Sequence, residues 1–484
     1  MPSLAIGCWA QSVSLELDSI KDKTQERWIR LYTSTNNSYT SIPIANIDSI
    51  CTYRDTNSKH IVTDIFTRTD CTSYTQTLTN VDSLYIIHSG PSQSEIVHTG
   101  LPMLKLDVPN AIQRGLTTQG VLSEPQVITN NILNCNTLGM NIAGRGNTTW
   151  YVSDKKPYKI SFNKKTSILN LPKQKKWILF SNPLDSSLLR NEVGFMLSRM
   201  SKIKWTPHTA YADVYLNNSY RGTYQISEKI GISDTRVNAG DNGFIIEVTP
   251  VNRVKEGDIT FTTKLLNFVI CDSNTDTDTC CYNYIKDYVN RCEQAIYNNS
   301  TWQANDGTTL TDLIDIDSFV DWYLINEIMK NADAIMYASV YMNKTKNGKL
   351  KMGPVWDFDL SLGNSLDDLP EYLESPYGIY IGIAPWFLSL INNDIFRKAL
   401  LNRYKYFYNL KDELIKNIEL KASEIELSAK ANATKWAHKN SFQYHVKKMT
   451  NFLSERMDWL YDYWFNGEYD LTGSDGRARK VIKK

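Results

Sequence analysis

The chain has 484 residues, with 53 Lys+Arg against 52 Asp+Glu and a net charge of +1. At roughly 100–200 residues per domain it holds two to four domains, and 42% hydrophobic residues exclude a wholly disordered chain. The balanced charge argues against binding to nucleic acid or anionic membrane by bulk charge, though not against a local basic patch, and no apolar run approaches the ~18 residues that cross a bilayer.

The opening residues Met1 to Cys8 place a small residue before a cysteine after a short apolar stretch. That resembles the end of a bacterial lipoprotein signal, without the basic segment and the length of a complete one. Residues 10–90 carry short Thr/Ser/Tyr-rich runs with almost no helical periodicity, and 1–95 is expected to be a small β-sandwich-like module. The eight cysteines include four within 271–292 and no CxxC pair. This does not suit structural zinc and suggests disulfides in an exported protein, such as Cys51–Cys71 and bridges within 271–292, with connectivity open; ordinary buried thiols are the alternative. The 28 Tyr and 12 Trp suit a large core, and equally a carbohydrate or peptide surface.

Residues 100–250 read as strands with one strong helix. Gly144-Arg145-Gly146-Asn147 forms a turn whose glycines would let backbone amides approach an anion, and a plain tight hairpin fits it as well. In the strand that follows, alternation separates Lys159 and Ser161 from Tyr158, Ile160 and Phe162. Lys159 is placed to reach a phosphate, or simply to stand in solvent. The lysines around it, from Lys155 to Lys176, are expected to face solvent. A helix from Asp185 or Ser186 to Met200 carries an apolar stripe, with Glu192 and Arg199 on its edge. Glu192 is either a partner for a strand lysine or an ordinary flank residue. Strands are expected at 212–216 and 222–228.

Residues 251–470 read as helix-rich. Ser318 to Asp321 resembles a capping box opening a helix to about Lys330. A hairpin at 335–356 follows, with a strand at 335–342 and a turn at Asn347-Gly348. Asp357 and Asp359 are two apart, so extended chain points both carboxylates to one side, and the hairpin folds Asp333 back towards them. Such oxygen donors suit Mg2+ or Mn2+, although aspartates also cap turns. Amphipathic segments follow at 394–409, 411–433 and 441–465, and 471–484 is expected to be a disordered tail.

Gly-rich turn, strand lysine, helix, two strands, helix, Asp loop, hairpin and metal aspartate follow one another as in a protein-kinase-like phosphotransferase, without its usual HRD and DFG strings. The sequence resembles the CotH kinase family, named for a spore-coat protein. The matching strings are Arg145–Trp150, Lys156–Ile160, Lys176–Leu179, Leu189-Arg190-Asn191, Val214–Asn217, Tyr220–Glu228, Asn331-Ala332-Asp333 and Lys351–Asp359. The form of the last, with the β-module in front, is similar to envelope lipoproteins of Bacteroidota. The resemblance implies an α+β, bilobal atypical protein-kinase-like fold. Its N-terminal lobe would span 100–250 and its helical C-terminal lobe 251–470.

It implies ATP, Mg2+ (or Mn2+) and phosphoryl transfer to Ser or Thr of an exported or cell-envelope protein. Asp333 would be the catalytic aspartate and Lys159 would contact the phosphates under Gly144, Arg145, Gly146 and Asn147. Glu192 would pair with Lys159, Glu228 would mark the hinge that meets adenine, and Asp357 would hold metal with Asp359 close behind. A kinase has a metal-binding Asn five residues after the catalytic Asp. Here that position is Ala338, and Ser339 is the nearest polar substitute. The expected partners are ATP and a protein substrate, with no nucleic acid. The chain is expected to be a monomer outside the cytoplasm, tied to a membrane only if Cys8 is a lipoprotein cysteine. The alternatives are a non-catalytic surface binding or adhesion protein on a kinase-like scaffold, and a DxD-type glycosyltransferase, which lacks the expected Rossmann-like βαβ run.

Overall fold

The computed structural model describes residues 97, 99–128, 131–273, 279–366, 371–466, 469–470 and 479–480, together with six strands between residues 28 and 87. Met1 to Cys8, most of the loops of the 1–95 module and most of the 471–484 tail lie outside the described residues. The fold is mixed α+β. It divides into two compact units, Met1–Ala143 with Tyr211–Thr223, and Gly144–Ala210 with Tyr224–Lys484.

In the first unit, Trp28–Thr33 pairs antiparallel with Ser38–Pro43 and Val81–Ile87. Ile61–Thr69 pairs with Ile47–Arg54 and Thr72–Thr79. Further along, Met103–Asp107 pairs antiparallel with Thr118–Ile128, which pairs with Asn131–Gly144. Thr209–Leu216 adds in parallel to Met103–Asp107.

The second unit holds the segments of interest. The lysine strand Tyr158–Thr166 pairs with Gln174–Phe180, and that strand pairs with the end of Ser219–Glu228. Tyr158, Ile160 and Phe162 are buried and Lys159 is exposed, as alternation requires. Lys164, Lys165, Lys173, Lys175 and Lys176 are exposed, but Lys155 is buried, its ammonium over the Tyr224 ring. Lys156 is half-buried, its ammonium over the Trp150 ring and donating to the Trp150 carbonyl at 2.7 Å, so packing along the stem overrides the expectation of a solvent-facing run at these two positions.

A five-stranded antiparallel sheet has the order Thr260–Thr262, Asn267–Ser273, Phe244–Val248, Val340–Lys344, Lys351–Met352. The hairpin turn at Asn347-Gly348 is present, but its first strand starts at Val340, not 335. Met336 and Ser339 take left-handed φ of +60° and +57°, which no strand accommodates.

Helix Ile316–Met329 is the centre of the core. Every residue from Ser318 to Met329 is buried, so its period shows no polar face. Aromatic rings surround it: Trp322 stacks on Phe387 at 5.4 Å, and Phe319 on Trp386 at 6.4 Å. The aromatic excess at these positions serves the core. Its N-cap is Asp315, which accepts the Ser318 N–H at 2.9 Å. The expected capping box three residues later is not formed, because Asp321 is buried and paired with Arg403 at 2.5 Å. Glu327 on the same helix pairs with Arg456, also wholly buried, at 2.5 Å. The last long helices are Asp394–Asn409, Lys411–Lys435 and Phe442–Tyr461, close to expectation. No helix among the described residues is long and apolar enough to cross a membrane.

Cys271, Cys281 and Cys292 carry free thiols. With three of the four unbridged, the expected disulfides within 271–292 are not formed. Cys292 is buried on helix Thr279–Tyr297, where a thiol behaves as a small apolar group. The side chains of Cys8, Cys51, Cys71, Cys135 and Cys280 lie outside the described residues.

Candidate active site

Helix Ile316–Met329 ends on Lys330, whose φ of +47° turns the chain sharply. Its ammonium donates to the carbonyls of Tyr372, Ser375 and Tyr377 at 2.5–2.8 Å. Asn331 then organises the turn. Its side-chain oxygen accepts the Asp333 N–H at 3.3 Å, and its amide donates to Asn326 at 3.1 Å and to the Asp357 carbonyl at 3.0 Å. Backbone bonds from Ala332 N–H to Leu360 O and from Leu362 N–H to Met329 O join the same two segments. Asp333 therefore sits on a single 3₁₀ turn whose N-terminal side is fastened to the segment that carries Asp357 and Asp359.

Asp357 has a left-handed φ of +68°. For a residue with a β-carbon this is uncommon, and it persists only where neighbours over-determine it. The Ser339 hydroxyl donates to Asp357 Oδ2 at 2.9 Å. Burial, then the Asp357 charge, push the Asp333 carboxyl up to about 6, and Arg253 opposes them. Burial, then Asp357, Asp333 and Asp185, push the Asp359 carboxyl well up. The three carboxylates thus feel one another, in a place where water screens them poorly.

The string Leu189-Arg190-Asn191 holds this segment from the other side. The helix starts at Arg190 rather than Asp185. The Asp185 carboxylate accepts from Ser187 and from the Arg190 backbone and guanidinium, which ties 185–189 into a turn. Arg190 donates on to the carbonyls of Ser361 and Leu362, and Asn191 Oδ1 accepts the Phe358 N–H at 2.8 Å. All three side chains are buried. Arg190, Asn191 and Asn331 were present in the family strings, but their roles are not readable from spacing, because each acts by hydrogen bonds to backbone far along the chain.

Lys159 belongs to a different cluster. Burial, then the cations Lys255, Lys176 and Arg145, push its ammonium down. Burial, then Lys176, do the same to Lys229, with Lys159 contributing. This concentration of positive charge suits a polyphosphate. The Arg145 N–H donates to Pro157 O at 3.1 Å, which fastens the glycine turn to the start of the lysine strand. Gly144 is required by packing, since a β-carbon there would lie 2.2 Å from the Trp150 ring. Gly146 has φ +87°. Asn147 precedes a short helix, Thr148–Tyr151, where strand-to-strand connection was expected.

Two expected residues are occupied elsewhere. Glu192 does not pair with Lys159: it pairs with Arg199 and accepts from Thr209 at 2.6 Å and Gln225 at 3.0 Å. At helical spacing Arg199 lies two turns along the same face, and the two flank residues satisfy each other. The Glu228 side chain is wholly buried and accepts from His208 N–H and Nδ1 at 3.0 and 2.9 Å. Next to it, Lys229 N–H already donates to Lys176 O, and Lys229 O accepts from Arg236.

Among the described residues no group of three or more His, Cys, Asp or Glu side chains stands ready to hold a metal ion. Mg2+ does not require one: it is commonly bound by one or two carboxylates, with phosphate oxygens and water completing the shell. Asp357, with Oδ2 engaged by Ser339 and Asp359 beside it, fits that donor set, and the mutual repulsion of the carboxylates is what a dication would relieve.

A family model described as CotH kinase protein matches residues 142–460, which include every segment of this site. No curated protein matches the chain.

Proposed function

We propose, from the premise that the chain belongs to the CotH kinase family, that it is an atypical, two-lobed protein kinase. It would transfer the γ-phosphoryl group of ATP, with Mg2+ or Mn2+, to Ser or Thr of an exported or cell-envelope protein. The observation that carries the reading is the fastening of Asp333 to Asp357 through Asn331, in a unit that also gathers the cations around Lys159.

In this reading Asp333 accepts the proton of the acceptor hydroxyl as its oxygen bonds to the γ-phosphorus and the bond to the β,γ-bridging oxygen breaks, releasing ADP. Lys159 and its cationic neighbours orient the phosphates, with Gly144–Asn147 over them. Asp357 and Asp359 would hold the divalent cation, which when bound neutralises charge on the β- and γ-oxygens. Ser339 holds Asp357 rather than replacing the missing Asn as a free ligand.

Purified protein incubated with Mn2+ or Mg2+ and labelled ATP should phosphorylate itself or a protein acceptor, and Asp333→Ala and Asp357→Ala should abolish this. A wild type that neither binds nucleotide nor transfers phosphate overturns the reading and favours a surface-binding role on the same scaffold.

A further inference from the structure

Away from the aspartates, the second unit holds a cleft of about 770 Å3, a size at which pockets take specific ligands. Four segments line it: 201–205 beyond helix Arg190–Arg199, 234–238 beyond strand Ser219–Glu228, the start of helix Ile316–Met329, and the hairpin between 343 and 354.

Most acceptors in this lining are spent. Asp315 Oδ1 accepts the Ser318 N–H at 2.9 Å as the helix N-cap, Asp317 pairs with Lys202 at 2.8 Å, and Ser318 Oγ accepts the Met352 N–H at 3.2 Å. Asp234 is exposed and is the carboxylate of the lining not so engaged. The donors are in surplus. Among the described residues neither the Lys204 nor the Lys351 ammonium has a hydrogen-bond or ion-pair partner. The Trp205 Nε1–H, on a residue nine-tenths buried, has no acceptor. Arg236 adds positive charge, its N–H groups held by Lys229 O, Ile232 O and Ser233 Oγ, and the helix start adds the positive end of its dipole. Buried Val237, Met352 and Pro354 complete the lining with apolar surface.

Charge complementarity selects an anion, and the apolar lining selects one that carries hydrocarbon. The cleft lies at the start of the helix whose far end delivers Asp333, a separation of about 21 Å along its fourteen residues at ~1.5 Å each. That is too far for the cleft to hold a reacting hydroxyl, and about six or seven residues of extended chain would span it.

We propose that this cleft docks an acidic, Leu-containing segment of the protein acceptor while a hydroxyl elsewhere on that chain reaches Asp333. The inference rests on the kinase reading above and adds to it a recognition point remote from phosphoryl transfer.

Fluorescein-labelled nine-residue peptides, one repeating Glu-Glu-Leu and one repeating Lys-Lys-Leu, test it on the full chain by anisotropy at low salt. The acidic peptide should bind at least about tenfold more tightly than the basic one, and the double variant Lys204→Glu/Lys351→Glu should lose about tenfold of that affinity. The thermal shift induced by ATP should be the same in wild type and variant. In protein carrying isotopically labelled tryptophan, the acidic peptide should move the indole N–H resonance of Trp205, identified by its disappearance in Trp205→Phe.

Equal affinity for the two peptides, undiminished affinity in the charge-reversed variant, or a Trp205 resonance that stays still at saturation would each overturn the docking role. So would displacement of the peptide by an equal concentration of free glutarate, which would mark a small-anion site instead. If the charge-reversed variant does not fold, Lys204→Ala and Lys351→Ala replace it, each expected to lose about threefold. A wild type with no ATP-induced thermal shift overturns the kinase reading, and the acceptor role of the cleft with it. Nucleotide binding without peptide selectivity overturns this inference alone.

Discussion

The ring of Phe358 occupies the space where a β-carbon on Gly194 would stand: the two would be 2.3 Å apart. Phe358 lies between Asp357 and Asp359, and Gly194 lies in mid-helix, where a glycine otherwise costs about 1 kcal/mol relative to alanine. Close packing of the Asp357–Asp359 segment on this helix therefore outweighs helix propensity. Gly194→Ala should improve local propensity yet destabilise the protein by about 1–3 kcal/mol through overpacking. Denaturant unfolding checks the sign: an increase in stability would mean that Phe358 moves aside freely.

The pair Glu327–Arg456 anchors the helix that delivers Asp333. Arg456 also donates to the carbonyls of Glu327, Pro376 and Gly378, while Glu327 accepts three backbone N–H bonds from Tyr380, Ile381 and Gly382. Removing one partner of such a pair leaves an uncompensated buried charge. Arg456→Met should cost about 3–5 kcal/mol in denaturant unfolding, with a loss below 1 kcal/mol counting against the assignment.

Lys159, Lys176, Lys255 and Arg145 repel one another, and a bound triphosphate would relieve this. Lys255→Ala should weaken ATP binding at low salt by about fivefold, the upper range for one exposed charge. The difference should shrink as ionic strength rises, because the screening length falls from ~10 Å at 0.1 M to ~3 Å at 1 M. Calorimetric titration at two salt concentrations measures it. An effect independent of salt would mean that Lys255 acts by a direct, buried contact.

The order of parts was legible because it rests on local signals. Alternation placed Lys159 on the outer face of its strand, Asn347-Gly348 marked the hairpin, and the three long C-terminal helices followed from apolar period. Where reading failed, long-range partners decided. Glu192 looked available for Lys159, but Arg199, Thr209 and Gln225 already satisfy it. The start of helix Arg190–Arg199 was misplaced because Asp185 draws five preceding residues into a turn. Ser339 looked like a substitute ligand, while its hydroxyl is spent on Asp357. Cysteine count suggested bridges in 271–292, whereas burial of Cys292 in a helix explains it as core.

The placement of Asp333 predicts a conflict between stability and activity that pH exposes. An unfolded aspartate titrates near ~3.9, while in the folded, nucleotide-free protein burial and Asp357 raise this one to about 6. The folded state therefore holds the proton more tightly than the unfolded state. The stability this contributes is fully present below about pH 4 and is lost as pH rises through about 6. A shift of this size corresponds to roughly 2–3 kcal/mol. Asp333→Asn carries no charge to repel Asp357, so it should be more stable than wild type at pH 8 by on the order of 2 kcal/mol, with the difference vanishing near pH 4. The same variant should lose phosphoryl transfer, since an amide cannot take the hydroxyl proton. Denaturant unfolding at the two pH values, alongside the labelled-ATP assay, tests both halves. A variant less stable than wild type at pH 8 would mean that the ionised carboxylate is held by attraction rather than against repulsion.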